Sequence, residues 1–308
     1  MENSYYPEGT LYGQGINSEY IGSLSGLEYA REHGIILEAK ASMCDSSHNL
    51  YVTLGTYRGI IPKEEAAYSA SGEPVKDIAV ITRVGKPVSF VVTDIEKSMS
   101  GTVIKLSRRL AQKKCCEEYV STLNAGDVIE ACVTHMEQFG AFCDIGCGVI
   151  ALLPVDCISV SRISHPAERF IAGQKLRAVI KDIVKDTFRV TLSHKELLGT
   201  WKENASMFEP GQTVTGIVRS IESYGIFVEL SPNLAGLAEW CDGVSVGDCA
   251  AVYIKSIIPE KMKIKLVIVD IGCRTESVAP SVYFEDSPHI DEWRYSPEEC
   301  SKDIISVF

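Results

Sequence analysis

The segment Gly126 to Asp144, GDVIEACVTHMEQFGAFCD, recurs 85 residues later as Gly211 to Glu229, GQTVTGIVRSIESYGIFVE. A fixed internal period constrains a fold more than any local signal, because each copy must become a structural unit of the same kind. Spacing inside the copies agrees as well: 13 residues separate Gly126 from Phe139 and Gly211 from Tyr224, and three separate Phe139 from Phe142 and Tyr224 from Phe227. Each copy therefore sets an aromatic residue, a Gly, a small or apolar residue and a Phe into what reads as a strand.

Runs of apolar and β-branched residues predict five strands in the first of these copies, at Val128 to Thr134, Phe139 to Ile145, Val149 to Leu153, Lys175 to Val184 and Phe188 to Leu192. The second copy yields another five, at Val214 to Ile221, Ile226 to Leu230, Gly236 to Ala238, Ala250 to Ile258 and Met262 to Val267. Five short antiparallel strands in about 70 residues is the size of an OB-type barrel, whose closure removes most exposed edges. A fainter copy precedes both. Its β signals run through ILEAKASM, NLYVTLG, GIIP, VKDIAVITRV, PVSFVVTDI and GTVIKLS, with His48 to Leu54 falling where Phe139 to Ile145 falls later and Gly59 to Pro62 matching Ala151 to Pro154.

The predicted fold is thus mainly β: three tandem five-stranded OB-type β-barrels, the first degenerate, joined by short α-helices. Its expected divisions are an N-terminal segment 1–33, a degenerate barrel 34–107, a linker helix 108–123, a barrel 124–193, a second linker helix 194–210, a barrel 211–268 and an acidic, aromatic tail 269–308. Ser193 with Glu196 reads as a capping box opening the second linker helix, and Ser296-Pro297-Glu298-Glu299 reads as a helix start in the tail. Arg108, Arg109, Lys113 and Lys114 share the first linker helix, more plausibly as a solvated face than as a phosphate-contacting patch. The loop Ser159 to Phe170 belongs to the middle unit alone.

Charge and cysteine content narrow the function. A net charge of −11 argues against strong, sequence-blind nucleic-acid binding, yet residues 269–308 alone contribute −6, so the body is only modestly acidic and has room for a local basic strip. The eleven cysteines include no Cys-x-x-Cys pair and read as reduced, buried small hydrophobes. No apolar run reaches membrane-spanning length and the start MENSYYPEG lacks signal-peptide regions, so the expectation is cytoplasmic, with no membrane partner. No metal set, phosphate-binding loop or Ser, His and Asp set emerges; the expectation is no enzyme, no cofactor and no small-molecule substrate.

The opening Gly, FGAFCDIG or YGIFVEL, GLAE, and a closing RVTLS or KIKL together resemble the RNA-binding module named after bacterial ribosomal protein S-one. The likeness covers the second and third units well and the first in part. It implies a barrel presenting two aromatics from its second and third strands, a His after the third strand, and an Asp and an Arg near the fifth. By position these become Phe139, Phe142 and Arg189 in the second unit and Tyr224, Phe227 and Lys263 in the third. Departures are plain: the implied His is Pro154 or Glu239, the implied Asp is Lys185 or Pro259, and the first unit keeps only Tyr51, with Val103 at the basic position.

Physical reasoning reaches the same residues. Residues three apart in a regular strand face opposite sides, so Gly140 and Gly225 are natural places for a bulge or bend that brings both rings of a pair to one surface. Ala141, Cys143 and Ile145 then alternate inward while Phe142 and Asp144 point out; Ile226, Val228 and Leu230 do the same against Phe227 and Glu229. Exposed rings flanked by a cation form a stacking platform for single strands; the competing reading has Phe139 and Tyr224 plugging the barrel ends. The expected function is a non-catalytic adaptor binding single-stranded RNA, such as mRNA, in translation or RNA metabolism. The ribosome or other RNA-metabolism proteins are its expected partners. The alternative is a protein-interaction scaffold whose barrels have lost RNA binding.

Overall fold

The computed structural model describes residues 5–98, 101–272 and 282–308. Three closed five-stranded barrels form in succession. In the first, β1 (Leu37–Cys44), β2 (Leu50–Leu54), β3 (Tyr57–Ile61), β4 (Pro87–Ser98) and β5 (Gly101–Ser107) close in the order β1-β2-β3-β5-β4. The second comprises β6 (Val128–Glu137), β7 (Gly140–Asp144), β8 (Ile150–Pro154), β9 (Lys175–Val184) and β10 (Arg189–Ser193). The third comprises β11 (Thr213–Glu222), β12 (Gly225–Ser231), β13 (Leu234–Ala238), β14 (Cys249–Ile258) and β15 (Lys263–Gly272). In each barrel the third and fifth strands run parallel, which is what closes a five-stranded meander on itself. By contact density the chain divides into two compact units, Met1–Leu123 with Asp144–Ala151 and Ile183–Arg189, and Asn124–Cys143 with Leu152–Asp182 and Val190–Phe308.

Alternation builds the cores. Leu50, Val52 and Leu54 of β2 and Ile104 and Leu106 of β5 are fully buried, as are Ile226 and Val228 of β12 and Ile264 and Leu266 of β15, each set spaced by two along its strand. One stretch departs from its β signal: within VKDIAVITRV, residues Asp77–Ile81 form a helix, with Val80 buried in the first barrel's core and Ile78 and Ile81 exposed. β-Branched composition alone does not decide between strand and helix, and here the sheet is already closed by β3 pairing with β5.

The linkers also differ in detail from their sequence pattern. The first is a helix as expected, α4 (Arg108–Glu118), entered through Ser107, whose hydroxyl accepts from the Leu110 N–H. Its cations are engaged rather than free: Arg109 bonds Glu65, Lys113 lies 3.6 Å from Glu117, Lys114 donates to the Gly34 carbonyl, and Arg108 is buried. The second linker is broken in two. A 3-10 turn at Lys195–Leu198 ends at Gly199, whose φ of 82° no other residue adopts cheaply, and α5 (Trp201–Ala205) then restarts at Thr200. The capping box falls on Thr200 and Glu203, while the Glu196 carboxylate accepts from Ser193 and Ser306 side chains.

The tail is part of the fold. Its described portion contains no helix at Ser296; that segment is a turn between β16 (Glu292–Arg294) and β17 (Ile305–Val307), with the Ser296 hydroxyl accepting from the Ile304 N–H. Upstream, Ile290 N donates to Gly126 O and Val128 N donates to Pro288 O, so the chain runs beside the start of β6. Ile290, Trp293 and Tyr295 are buried in the third barrel's core cluster. Among the described residues no helix is long and apolar enough to cross a membrane.

His194, 1% exposed, sits where the second barrel meets the tail, with Nδ1 at 3.2 Å from Ile158 O and Nε2 at 3.3 Å from the Tyr283 hydroxyl. Burial, helped by the charge of Arg169 and opposed by the Ile158 hydrogen bond, pulls its pKa down to about 4. Between pH 4 and 6.5 the unfolded state binds a proton that the native state refuses, so stability falls as pH drops through that window. Denaturant unfolding at pH 7 and pH 5 is expected to show a larger loss for the natural chain than for His194→Gln; parallel losses would rule this out.

Candidate nucleic-acid interface

Both sequence-predicted ring pairs assemble, by a route different from the predicted bulge. Phe139 and Tyr224 lie in the hairpin turns that precede β7 and β12, and are 58% and 67% exposed, which excludes the plug reading. Phe142 and Phe227 follow on the outer face of the strands, half-buried. Each pair packs edge to face, with ring centroids 5.8 Å apart for Phe139 and Phe142 and 6.2 Å for Tyr224 and Phe227, both at 89°. That is a preferred aromatic geometry. A turn residue is free of strand alternation, and this is why residues three apart share a surface.

The glycine between the rings has another task. A Cβ on Gly140 would lie 2.6 Å from Leu153 O, and one on Gly225 2.6 Å from Ala238 O, so only Gly lets the third strand approach here. The register shift between β11 and β12 instead falls on β11, between Val218 and Ser220, around Arg219.

Strand register shows which polar groups share the rings' row. Ser220 pairs with Phe227, Phe227 with Leu237, and Leu237 with Lys265. Paired residues point to the same face, so the exposed cation in Phe227's row is Lys265, with Lys263 two residues back on the same exposed face. Two strand spacings put Lys265 about 10 Å from Phe227. In the second barrel Leu152 pairs with Thr191, so the corresponding group is neutral, and Arg189 lies two residues earlier, exposed at the start of β10. In the first barrel the row is Tyr51, Ile60, Lys105. There the ring is already occupied: the Arg58 guanidinium sits 4.0 Å above Tyr51, the Tyr51 hydroxyl bonds Asp45 at 3.1 Å, and Lys105 is paired with Glu96.

One further ring joins the second platform, and two acids that strand alternation turns outward are buried. His135 on β6 stacks on Phe142 at 4.3 Å and 8°, extending the second platform to three rings; its position opposite Ser220 in the repeat was the available signal. Asp144 and Glu229, expected to point into solvent, are 2% and 5% exposed. They do leave the barrel face outward, but other elements cover that face. Asp144 accepts backbone N–H groups of Glu8, Gly146 and Gly148 at 2.7 to 3.0 Å, and burial with the nearby Glu8 charge pushes it up to about 7. Glu229 accepts from Arg219 Nε at 2.7 Å and from Arg169 Nη2, and Arg219 also bonds Glu168. Arg169 and Glu168 belong to the loop peculiar to the middle unit. The same loop bonds the third barrel through Ser161 N to Pro232 O and Val160 N to Asn233 Oδ1, both at 3.0 Å.

Residues 122–195 match the family model of the S1 RNA binding domain, the same S-one module. A small ribosomal subunit protein bS1 homolog from Bacillus subtilis is 25% identical over 233 residues, covering 73% of this chain and 59% of its own length. The small ribosomal subunit protein bS1 of Staphylococcus aureus is 29% identical over 268 residues, covering 84% and 64%. The chain thus spans roughly three fifths of the length of these relatives. Among solved structures, a multidomain protein with nucleic acid binding domains from Streptococcus pneumoniae aligns over 76% of this chain and 73% of its own, at 13% identity and a TM-score of 0.26.

Proposed function

We propose, from the premise that this chain belongs to the S1-like family, that it is a non-catalytic adaptor that binds single-stranded RNA on its second and third barrels. The observation that carries the reading is the recurrence, at the same hairpin position of two barrels, of an exposed ring set edge to face against a half-buried one. Unpaired bases stack on such rings, and a duplex keeps its bases stacked on one another. Phe139, Phe142 and His135 form the second barrel's site, with Arg189 as its cation. Tyr224, Phe227, Lys263 and Lys265 form the third. The names of the bS1 relatives, small ribosomal subunit proteins, support a role with the ribosome; mRNA as the bound strand and a cytoplasmic location belong to the proposal.

A second reading applies to the first barrel. Arg58 over Tyr51 and the Lys105–Glu96 pair close off its ring row, which favours a protein-contact or spacer role there. The seven-part division expected from the sequence is proposed as the domain scheme with three changes: the third barrel runs to Gly272, the second linker is broken at Gly199, and the tail contributes Ile290, Trp293 and Tyr295 to the third barrel's core.

The test is binding of a short labelled oligoribonucleotide to the double variant Phe142→Ala with Phe227→Ala. Affinity is expected to fall by about 1–3 kcal/mol for each stacked base lost, and the natural chain should prefer the single strand to a duplex of the same sequence. With few phosphates neutralised, the dependence of log affinity on log salt should be shallow, about −0.7 per phosphate. Unchanged affinity, or equal affinity for duplex, would reject the reading and favour the scaffold.

A further inference from the structure

We propose that the cavity bounded by Arg83, Arg108 and Arg189 in the first compact unit binds the phosphate group of a nucleotide, at a site that shares only Arg189 with the ring platforms. The cavity measures about 360 Å³, the size of a small-molecule site rather than of a lone ion. Its lining holds three arginines and no Asp or Glu, in a chain of net charge −11.

The guanidiniums are held in different ways. Arg108, 5% exposed, donates from Nε and Nη2 to the Glu8 carboxylate at 2.7 and 3.0 Å, and from Nη1 to Ala66 O at 3.0 Å. It fits because residue 148 is Gly; a Cβ there would lie 2.0 Å from Arg108 Nη2. Arg83 reaches the same carboxylate only at 3.6 Å, and its burial, with the neighbouring charge of Arg108, holds its pKa below the ordinary arginine value. One carboxylate therefore answers two guanidiniums. Asp144, the other acid nearby, is raised by burial and so is only a partial counter-charge.

Arg189 adds a third cation from the exposed rim. It follows Phe188, whose φ of 52° is matched by 46° at Met262 before β15, so this left-handed turn residue sets the start of the fifth strand and with it the place of Arg189. The back wall is rigid: Gln112 donates to Gly148 O at 2.7 Å and accepts from the Tyr68 N–H at 2.8 Å. Planar guanidinium forks match phosphate oxygens, and the apolar lining of Ala70, Ala79 and Phe188 suits a sugar or base. The ligand is a phosphate-bearing nucleotide, either free or as the phosphorylated end of an RNA strand.

Fluorescently labelled AMP titrated into the full chain at low salt is the direct test. Saturable binding is expected, displaced by AMP and not by adenosine. Arg83→Gln, and Ala70→Glu at an exposed rim position, should each weaken it at least tenfold while leaving the melting temperature and the binding of a 5′-hydroxyl oligoribonucleotide unchanged. A tenfold preference for the 5′-phosphorylated oligoribonucleotide that vanishes in both variants assigns the site to RNA ends; displacement by AMP without that preference assigns it to free nucleotide. Should Arg83→Gln fail to fold, Ala70→Glu decides alone. No saturable binding of either probe, equal displacement by adenosine, or binding indifferent to the variants would overturn the proposal. Oligoribonucleotide affinity unchanged by Phe142→Ala with Phe227→Ala, with AMP binding intact, would instead reject only the platform reading.

Discussion

Glu229→Ala is expected to destabilise the second compact unit by about 3–5 kcal/mol, the range for removing one partner of a buried ion pair. The carboxylate faces Arg169 and Arg219, whose side chains are 10% and 9% exposed. Arg219 retains Glu168 when it is gone, but Arg169 has no second carboxylate bond among the described residues, and a desolvated guanidinium without a partner is the costly state. The comparison that separates charge from packing is the triple replacement Arg169→Met, Glu229→Leu, Arg219→Met. Hydrophobic replacement of a whole buried ionic group is often neutral or stabilising, so the triple variant should recover most of the loss. Urea unfolding of the single and triple variants is the measurement. A single variant within about 0.5 kcal/mol of the natural chain, the range of an ordinary surface change, would mean that the network contributes nothing.

Trp293→Ala is expected to cost a similar amount, about 3–5 kcal/mol, the range for truncating a large buried aromatic. Trp293 is 7% exposed and stacks obliquely on Tyr295 at 5.5 Å; the Tyr295 hydroxyl donates to Asn233 O at 2.6 Å. Both belong to the third barrel's core, although more than 20 residues separate them from its last strand. A barrel of about 60 residues has little stability in reserve, so the variant should expose it to proteolysis near body temperature while the first barrel stays resistant. Uniform resistance across the chain would show that the tail is an ornament on a self-sufficient barrel.

Legibility tracked the range of the forces involved. The barrels, their five-strand composition and their repeated ring pairs could be read from the chain because alternation, glycine placement and a fixed period are local properties, written identically into each copy. The linker helices were legible in outline; Gly199 broke the second because its φ of 82° serves a turn there, whereas sequence patterning weighed it as one tolerable residue among helix formers. VKDIAVITRV read as strand because its β-branched residues carry that preference, and became a helix because the barrel had no further edge for it to join.

By itself the sequence determined how many barrels there are, where their strands begin to within a few residues, and that Phe139, Phe142, Tyr224 and Phe227 recur as matched pairs. Tertiary structure alone decided what covers each outward side chain. Asp144 and Glu229 alternate outward just as the rings do, yet they end at 2% and 5% exposed while Phe139 and Tyr224 stay in solvent. Alternation reports which side of a strand a residue leaves; whether that side meets water, a loop such as Ser159 to Phe170, or a returning tail depends on contacts between residues far apart in the chain, and no local pattern encodes those.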